Sequence, residues 1–232
     1  MAQMAKTSSP QIADDDLISV KEEIIETGRY LASLHFHAGL AGNISTKISG
    51  NRLLCTRHGA DKGALGVDDI IICDLDGNKI SGNGVPTSEF SMHRMAYRQR
   101  PDIRAVVHSH PPTATAFAVA SVPLDQLMLP EMIVLLGPVA LVPYATPGTE
   151  DLAERLKPHL ERSDSFLLEN HGALAIGSSL REAALRMELL EHNAQITLTV
   201  RQIGKPYAPR PQEIEALMEI RKRLSEKGKF FG

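Results

Sequence analysis

The sequence predicts a single α/β domain. Three observations carry this: helically spaced apolar stretches alternate with short β-branched runs, no internal repeat period is present, and no Gly/Ser- or Pro-rich linker divides the chain. Its 232 residues are ample for one buried core, and 43% hydrophobic with 23% charged residues argues against wholesale disorder or a fibrous repeat.

Residues 1–16, ending in Asp14-Asp15-Asp16, mix small, polar and acidic residues without periodicity and read as a flexible lead-in to a domain spanning 17–232. From Leu17, apolar residues at 17, 20, 24, 25, 31 and 34 follow helical spacing, predicting an amphipathic helix that ends at Gly39. Ile44 to Ile48 and Arg52 to Thr56 flank Ser49-Gly50-Asn51, a hairpin signal, and Ile70 to Cys73 is a strand before the Asp76-Gly77 turn. Glu89 to Gln99 has helical character closed by Pro101. The run from Ile103 to His110 reads as a strand stopped by Pro111-Pro112, and Thr113 to Ala120 as a short helix. Val139 to Val142 is a further strand, and Thr149 begins a helix carrying Asp151 and Glu154 near its positive end. Ser165 to Glu169 and Ala173 to Ile176 are strands on either side of Asn170-His171-Gly172. Leu180 to Ile203 forms a long helix, and Pro211 opens the last one.

Lys and Arg number 25 against 28 Asp and Glu, leaving −3 with His neutral, so nothing draws the chain generally to nucleic acid or anionic lipid. The basic run Arg221-Lys222-Arg223 reads as a solvated helix face, and the apolar run Leu127 to Val134 as buried core or subunit contact. Cys55 and Cys73, each in an apolar run, read as buried free thiols in a reducing compartment. The first sixteen residues lack the apolar core of a signal peptide, and no apolar run is long enough to span a bilayer. The expectation is a cytoplasmic protein acting on a small molecule, with neither nucleic acid nor membrane as partner.

His108-Ser109-His110 is the sharpest chemical feature. On a strand, side chains at i and i+2 share a face, so both imidazoles point together as two ligands of one metal require; the alternative is one ring capping a turn and the other in solvent. His171, at the end of an apolar strand, is either a third ligand or a turn histidine bonded to backbone. Three neutral imidazoles bind Zn²⁺ and leave a fourth position open, as catalytic zinc sites do, and Mn²⁺, Fe²⁺ or Co²⁺ suit the same set. Glu89 follows Pro86-Thr87-Ser88 at a helix start. It serves either the helix dipole, with Thr87 or Ser88 as N-cap, or proton transfer beside the metal. Gly42-Asn43-Ile44-Ser45 and Arg57-His58-Gly59 flank strands and read either as plain turns or as two walls of an anion pocket, to which the Thr87-Ser88 helix start would add donors.

Gly42-Asn43-Ile44-Ser45, Pro86-Thr87-Ser88-Glu89, Val106 to His110, Pro143-Tyr144-Ala145 and Glu169-Asn170-His171-Gly172, in this order and at these intervals, resemble the class II aldolase/adducin family over about residues 17–205. The resemblance implies a single three-layer α/β/α domain with a largely antiparallel central sheet, assembled as a homotetramer with active sites at subunit interfaces. It implies zinc on His108, His110 and His171, with Glu89 as catalytic acid/base. Gly42, Asn43, Thr87 and Ser88 would hold a substrate phosphate, with Gly59 on the opposite wall. The implied reaction is cleavage of a ketose phosphate, an anionic sugar, through a metal-stabilised enediolate to dihydroxyacetone phosphate and an aldehyde. Two positions depart from the family's aldolase pattern. His58, after Arg57, replaces a small hydroxyl residue, and Glu131 stands where a tyrosine protonates the leaving aldehyde. A glutamate there is similar to the branch that dehydrates a thioribulose phosphate, where it is the base, so Glu131 is a second catalytic candidate, with a solvated or interface carboxylate as the plain alternative. Decarboxylation of a 3-oxo acid phosphate, epimerisation, which is disfavoured because the epimerase pattern has an aspartate where Glu89 stands, and a noncatalytic adducin-like binding module complete the alternatives.

Overall fold

The computed structural model describes residues 14–49, 51–125, 129–207 and 209–226. Its strands are β1 (Asn43–Ile48), β2 (Arg52–Thr56), β3 (Ile70–Asp74), β4 (Lys79–Ser81), β5 (Ala105–Ser109), β6 (Val139–Val142), β7 (Ser165–Leu168) and β8 (Gly172–Gly177). They form one sheet in the order β4-β3-β2-β1-β5-β8-β7-β6, antiparallel at every step except the parallel pair β6 and β7. The helices are α1 (Asp14–Ser33), α2 (Phe90–Gln99), α3 (Pro112–Val119), α4 (Glu150–Leu156), α5 (Leu180–Ile203) and α6 (Pro211–Glu226).

Period-2 alternation along the strands divides the apolar side chains between two layers. Ala105 and Val107 of β5 join Ala173 and Ala175 of β8 in one core, packed beneath residues of α1, α3 and α5. Val106, Leu174 and Ile176 point the other way, into a core shared with Phe90, Met92 and Tyr97 of α2 and Leu152 and Leu156 of α4. The sheet is thus covered on both faces, as a three-layer arrangement requires.

Most elements fall where the periodicity places them, and the differences have local causes. The first helix begins at Asp14, so Asp14–Asp16 belong to it rather than to a lead-in; residues 1–13 lie outside the described residues. It ends at Ser33, six residues before Gly39, because His35 takes the left-handed conformation (φ +62°) usually left to glycine. The Phe36 N–H then donates to Leu31 O at 3.0 Å and the His35 N–H to Ala32 O at 2.9 Å, the paired bonds of a Schellman cap. Met132–Leu136 forms a π-helical turn closed by the Gly137 N–H on Met132 O, and β4 is a short edge strand; neither carries a periodic signal. In the apolar run before Val134, Met132 and Ile133 are buried, while Leu127 and Met128 lie outside the described residues. Gly50 of the expected hairpin turn also lies outside them. No described helix is long and apolar enough to cross a membrane.

The basic run on α6 is not uniformly solvated. Arg221 turns inward, donating to Val134 O at 2.9 Å and lying 3.3 Å from Asp164 Oδ2, while Lys222 and Arg223 stay exposed. Asp164 also meets Arg100 at 3.0 Å and Arg186 at 3.2 Å, so one largely covered carboxylate ties together α5, α6 and the end of α2. Asp164→Ala would leave three guanidinium groups without their shared counter-charge. A loss of about 3 kcal/mol is expected, since removing one partner of a buried ion pair is strongly destabilising. For a chain of this size that is roughly 6–12 °C in Tm, read by thermal unfolding, with an unchanged Tm counting against the network.

Candidate metal centre

The centre forms where β5, β8 and the start of α2 meet. His108 lies in β5 directly opposite Asn43 of β1 on one side and Leu174 of β8 on the other. His110, two residues on, shares the face of His108, and the Pro111-Pro112 pair ends the strand just beyond it. His171 arrives from the β7–β8 turn, where Asn170 adopts φ +53° and the His171 N–H donates to Leu168 O at 3.0 Å. Glu169 anchors that turn by accepting from the Ser121 hydroxyl at 2.5 Å and the Tyr144 N–H at 3.0 Å.

The three rings gather with centroids 4.6, 4.9 and 5.4 Å apart, and their candidate ligand atoms lie within 4.8 Å of one another. Glu89 completes the group, 3.2 Å from His108 Nε2 and 2.9 Å from His171 Nε2. The fully buried His108 ring gives its Nδ1–H to Ala173 O at 2.8 Å. In a neutral imidazole this leaves only a lone pair on Nε2. That lone pair faces the Glu89 carboxylate and, at 3.2 Å, His110 Nε2. Lone pairs and a carboxylate converging in a water-poor site repel unless a cation lies among them, so this donor set fits a divalent metal. The backbone carbonyl on His108 is the outer-shell partner that fixes the ligating tautomer.

Burial alone would raise the Glu89 carboxyl, but positive charge at the His108 and His171 nitrogens, which a cation held among them would equally supply, outweighs it and holds Glu89 below the usual carboxylate range. Burial first, then the neighbouring His108 and His171 rings, lowers His110 to about 3, so it is a neutral ring at pH 7. Glu89 itself occupies the N-cap position of α2 and makes no cap hydrogen bond. Neither Thr87 nor Ser88 is the N-cap, and the helix-start explanation of Glu89 gives way to a carboxylate turned toward the histidines.

Asn43 donates its Nδ2–H to Glu89 Oε2 at 2.8 Å. Gly42 (φ +81°) sits against the His37 ring with His108 O close behind, where a Cβ would meet that oxygen at 2.8 Å. A bridge between Arg57 and Pro86, with the His58 N–H on Val85 O at 2.9 Å, brings the exposed Gly59 loop beside the segment that carries Thr87 and Ser88. Thr87 Oγ1 accepts weakly from the Glu89 N–H at 3.4 Å, and Ser88 is exposed. Buried Lys62, which no motif marks, stitches the two anion-side loops by donating to Leu40 O and, at 2.5 Å, to Ala60 O. Glu131 is exposed at the start of the π-helical turn and makes none of the cluster's hydrogen bonds among the described residues.

Gly172 begins β8 opposite the end of β5, and its Cβ position is filled by the His110 ring, with Ser109 O only 2.9 Å away. Gly172→Ala is therefore expected to push the His110 ring out of the cluster and weaken metal binding at least tenfold, a loss typical of disturbing a ligand's support. Metal titration of the purified variant reads this, and wild-type affinity would contradict the packing argument.

Fold and site together define a mixed α/β protein with a three-histidine, one-carboxylate cluster able to hold a metal ion. The family model for the class II aldolase and adducin N-terminal domain matches residues 22–198, and the chain belongs to this family. It is 36% identical over 178 residues to an L-fuculose phosphate aldolase of Methanocaldococcus jannaschii, covering 77% of this chain and 95% of that one. A 3-oxo-tetronate 4-phosphate decarboxylase of Haemophilus influenzae is 31% identical over 191 residues, 79% of this chain and 89% of that one. A solved L-fuculose 1-phosphate aldolase structure superposes with a TM-score of 0.82 at 31% identity, covering 91% of this chain and 98% of that chain.

Proposed function

We propose that the protein is a zinc-dependent aldolase that cleaves a ketose phosphate to dihydroxyacetone phosphate and an aldehyde, as a cytoplasmic homotetramer with interface active sites. The observation that supports this best is the convergence of His108, His110 and His171 beside Glu89. Zinc suits three neutral imidazoles with an open position, and Mn²⁺, Fe²⁺ or Co²⁺ would use the same nitrogens. When bound, the ion would supply Lewis-acid polarisation of the substrate's carbonyl and adjacent hydroxyl oxygens.

The chain's own groups do the rest. Gly42, Asn43, Thr87 and Ser88, with Gly59 on the opposite wall, hold the phosphate and so place the sugar's C3 beside Glu89. The C4 hydroxyl gives its proton to the second carboxylate, Glu131, as its oxygen forms the aldehyde carbonyl, the C3–C4 electron pair passes to C3 and into the C2 carbonyl, and Glu89 passes to C3 a proton that it regains from solvent. Glu131, exposed on the single chain, would meet the C4 oxygen in the site of a neighbouring subunit. Mixing Glu89→Gln with Glu131→Gln chains, each inactive alone, should then restore activity in hybrid tetramers. Failure to complement would remove Glu131 from the neighbouring site.

Decarboxylation is the second reading, favoured by the similarity to the Haemophilus influenzae decarboxylase and by exposed His58 beside the anion loop, which suits a carboxylate, while Arg57 is held by Asp69 at 2.6 Å. The electron pair left on carbon is the same, and only the departing group differs. The deciding experiment incubates zinc-loaded protein with ketose 1-phosphates and 3-oxo acid phosphates while following dihydroxyacetone phosphate and CO₂. Dihydroxyacetone phosphate with an aldehyde supports the aldolase, and CO₂ alone overturns it. The complete histidine set with Glu89 argues against a noncatalytic module, which zinc-free protein from a zinc-replete preparation would revive.

A further inference from the structure

Behind the Glu89 carboxylate runs a chain of buried polar side chains that metal binding does not need. Glu89, His93 and Tyr97 stand four residues apart along the start of α2, so they line one stripe of the helix. Asn43 and Ser45 stand two apart on β1 and face that stripe. The two periodicities interlock. Asn43 Nδ2 donates to Glu89 Oε2 at 2.8 Å, His93 Nε2 lies 2.5 Å from Asn43 Oδ1, His93 Nδ1 lies 2.7 Å from Ser45 Oγ, and Ser45 Oγ lies 2.8 Å from Tyr97 OH. Asn43, Ser45, His93 and Tyr97 are all buried.

The hydrogens of this chain follow from its end. A carboxylate only accepts, so the carboxamide must present its N–H₂ side to Glu89 and its oxygen to His93. His93 therefore carries its proton on Nε2 and leaves a lone pair on Nδ1, to which the Ser45 hydroxyl donates; the Ser45 oxygen then accepts from the Tyr97 hydroxyl. Burial, and then the nearby His108 ring, lowers the His93 pKa to about 3, so a single ring proton is available at pH 7. Apolar side chains would fill this volume without any need for a complete hydrogen-bond set, whereas a buried polar network is tolerated only when every member is satisfied. This one is satisfied in a single direction, and it terminates on the group that faces the histidine cluster.

We propose that His93 is a positioning residue for Glu89: held in one tautomer by Ser45, it locks the Asn43 carboxamide so that the amide N–H₂ fixes the carboxylate's orientation beside the metal ligands. The inference rests on the reading of Glu89 as the proton-transfer group. Without His93 the amide oxygen loses its donor and the carboxamide is free to rotate, letting the carboxylate swing. Misplacing a reacting group by about 1 Å costs on the order of a hundredfold in rate.

The test compares His93→Leu, which abolishes the donor, with His93→Gln, whose amide N–H can reach the Asn43 oxygen, and with Ser45→Ala, which leaves the ring's Nδ1 without its donor. In zinc-loaded protein normalised to bound metal, His93→Leu is expected to lower kcat by about ten- to a hundredfold. His93→Gln should recover most of that loss, and Ser45→Ala should lose less. Independently of turnover, nitrogen-15 NMR of the imidazoles should show His93 with a protonated Nε2 and an unprotonated Nδ1, and Asn43→Ala should move those resonances. An Nδ1-protonated ring, or a His93→Leu kcat equal to wild type per bound metal, overturns the proposal. Should the wild-type chain turn over no phosphate substrate, the reading of Glu89 fails by itself, and the tautomer measurement still decides whether the lock exists.

Discussion

His108→Ala is expected to lose bound zinc and, with it, about three orders of magnitude or more in turnover, because a Lewis-acid metal contributes several kcal/mol to the barrier and each 1.36 kcal/mol is about tenfold in rate. The reason lies in how tightly this residue is held. Its ring is fully buried in β5, its Nδ1–H is committed to Ala173 O, and its Nε2 sits within 3.2 Å of both Glu89 and His110. Alanine removes a ligand and leaves the Ala173 carbonyl without that donor, so some loss of stability accompanies the metal loss. Metal analysis separates the two effects when made on protein shown to be folded by circular dichroism. A folded His108→Ala variant retaining one zinc per chain would rule this histidine out as a ligand. Activity restored by excess zinc would place His108 in binding affinity alone.

Much of this was legible because strand and helix periodicities are local. The i, i+2 spacing of His108 and His110 on a strand places them on one face whatever the rest of the fold does, and the Leu180–Ile203 helix appears with the bounds its apolar spacing gives. The Schellman cap at His35 escapes detection because a non-glycine residue in the left-handed region has no compositional signature. The convergence of His171 with β5 is set by the antiparallel pairing of β5 with β8 across more than sixty residues, which no local pattern encodes: its place at a strand end left the ligand as one of two readings, and the family resemblance selected it. Arg221 misleads for a related reason: a basic triplet on an amphipathic helix looks solvated until the π-helical turn and Asp164 present acceptors to one of its members. His93 and Tyr97 did leave a trace. They follow Glu89 at intervals of four, which on a helix marks a polar stripe, and that stripe has meaning only when the residue at its head is already a candidate.

Glu89→Gln is expected to keep the metal and lose the chemistry. The substitution preserves volume and leaves the three imidazoles in place, so zinc content should match the wild type. The proton-transfer contribution of a well-placed acid/base group is roughly 10²–10⁴-fold, and that is the fall expected in kcat. The amide also replaces an acceptor with a donor beside Asn43, whose Nδ2–H now points at Glu89 Oε2, so the two amides must reorient to avoid opposing N–H groups. A partial reaction isolates the step: in heavy water, zinc-loaded wild type should exchange one C3 hydrogen of dihydroxyacetone phosphate without any aldehyde present, and Glu89→Gln should not. Exchange at the wild-type rate in the variant would move the proton-transfer role away from Glu89, and the hydrogen-bonded chain behind it would then be a structural feature of the core. Slow exchange together with intact zinc would leave the carboxylate, oriented through Asn43, as the group that decides where the proton goes.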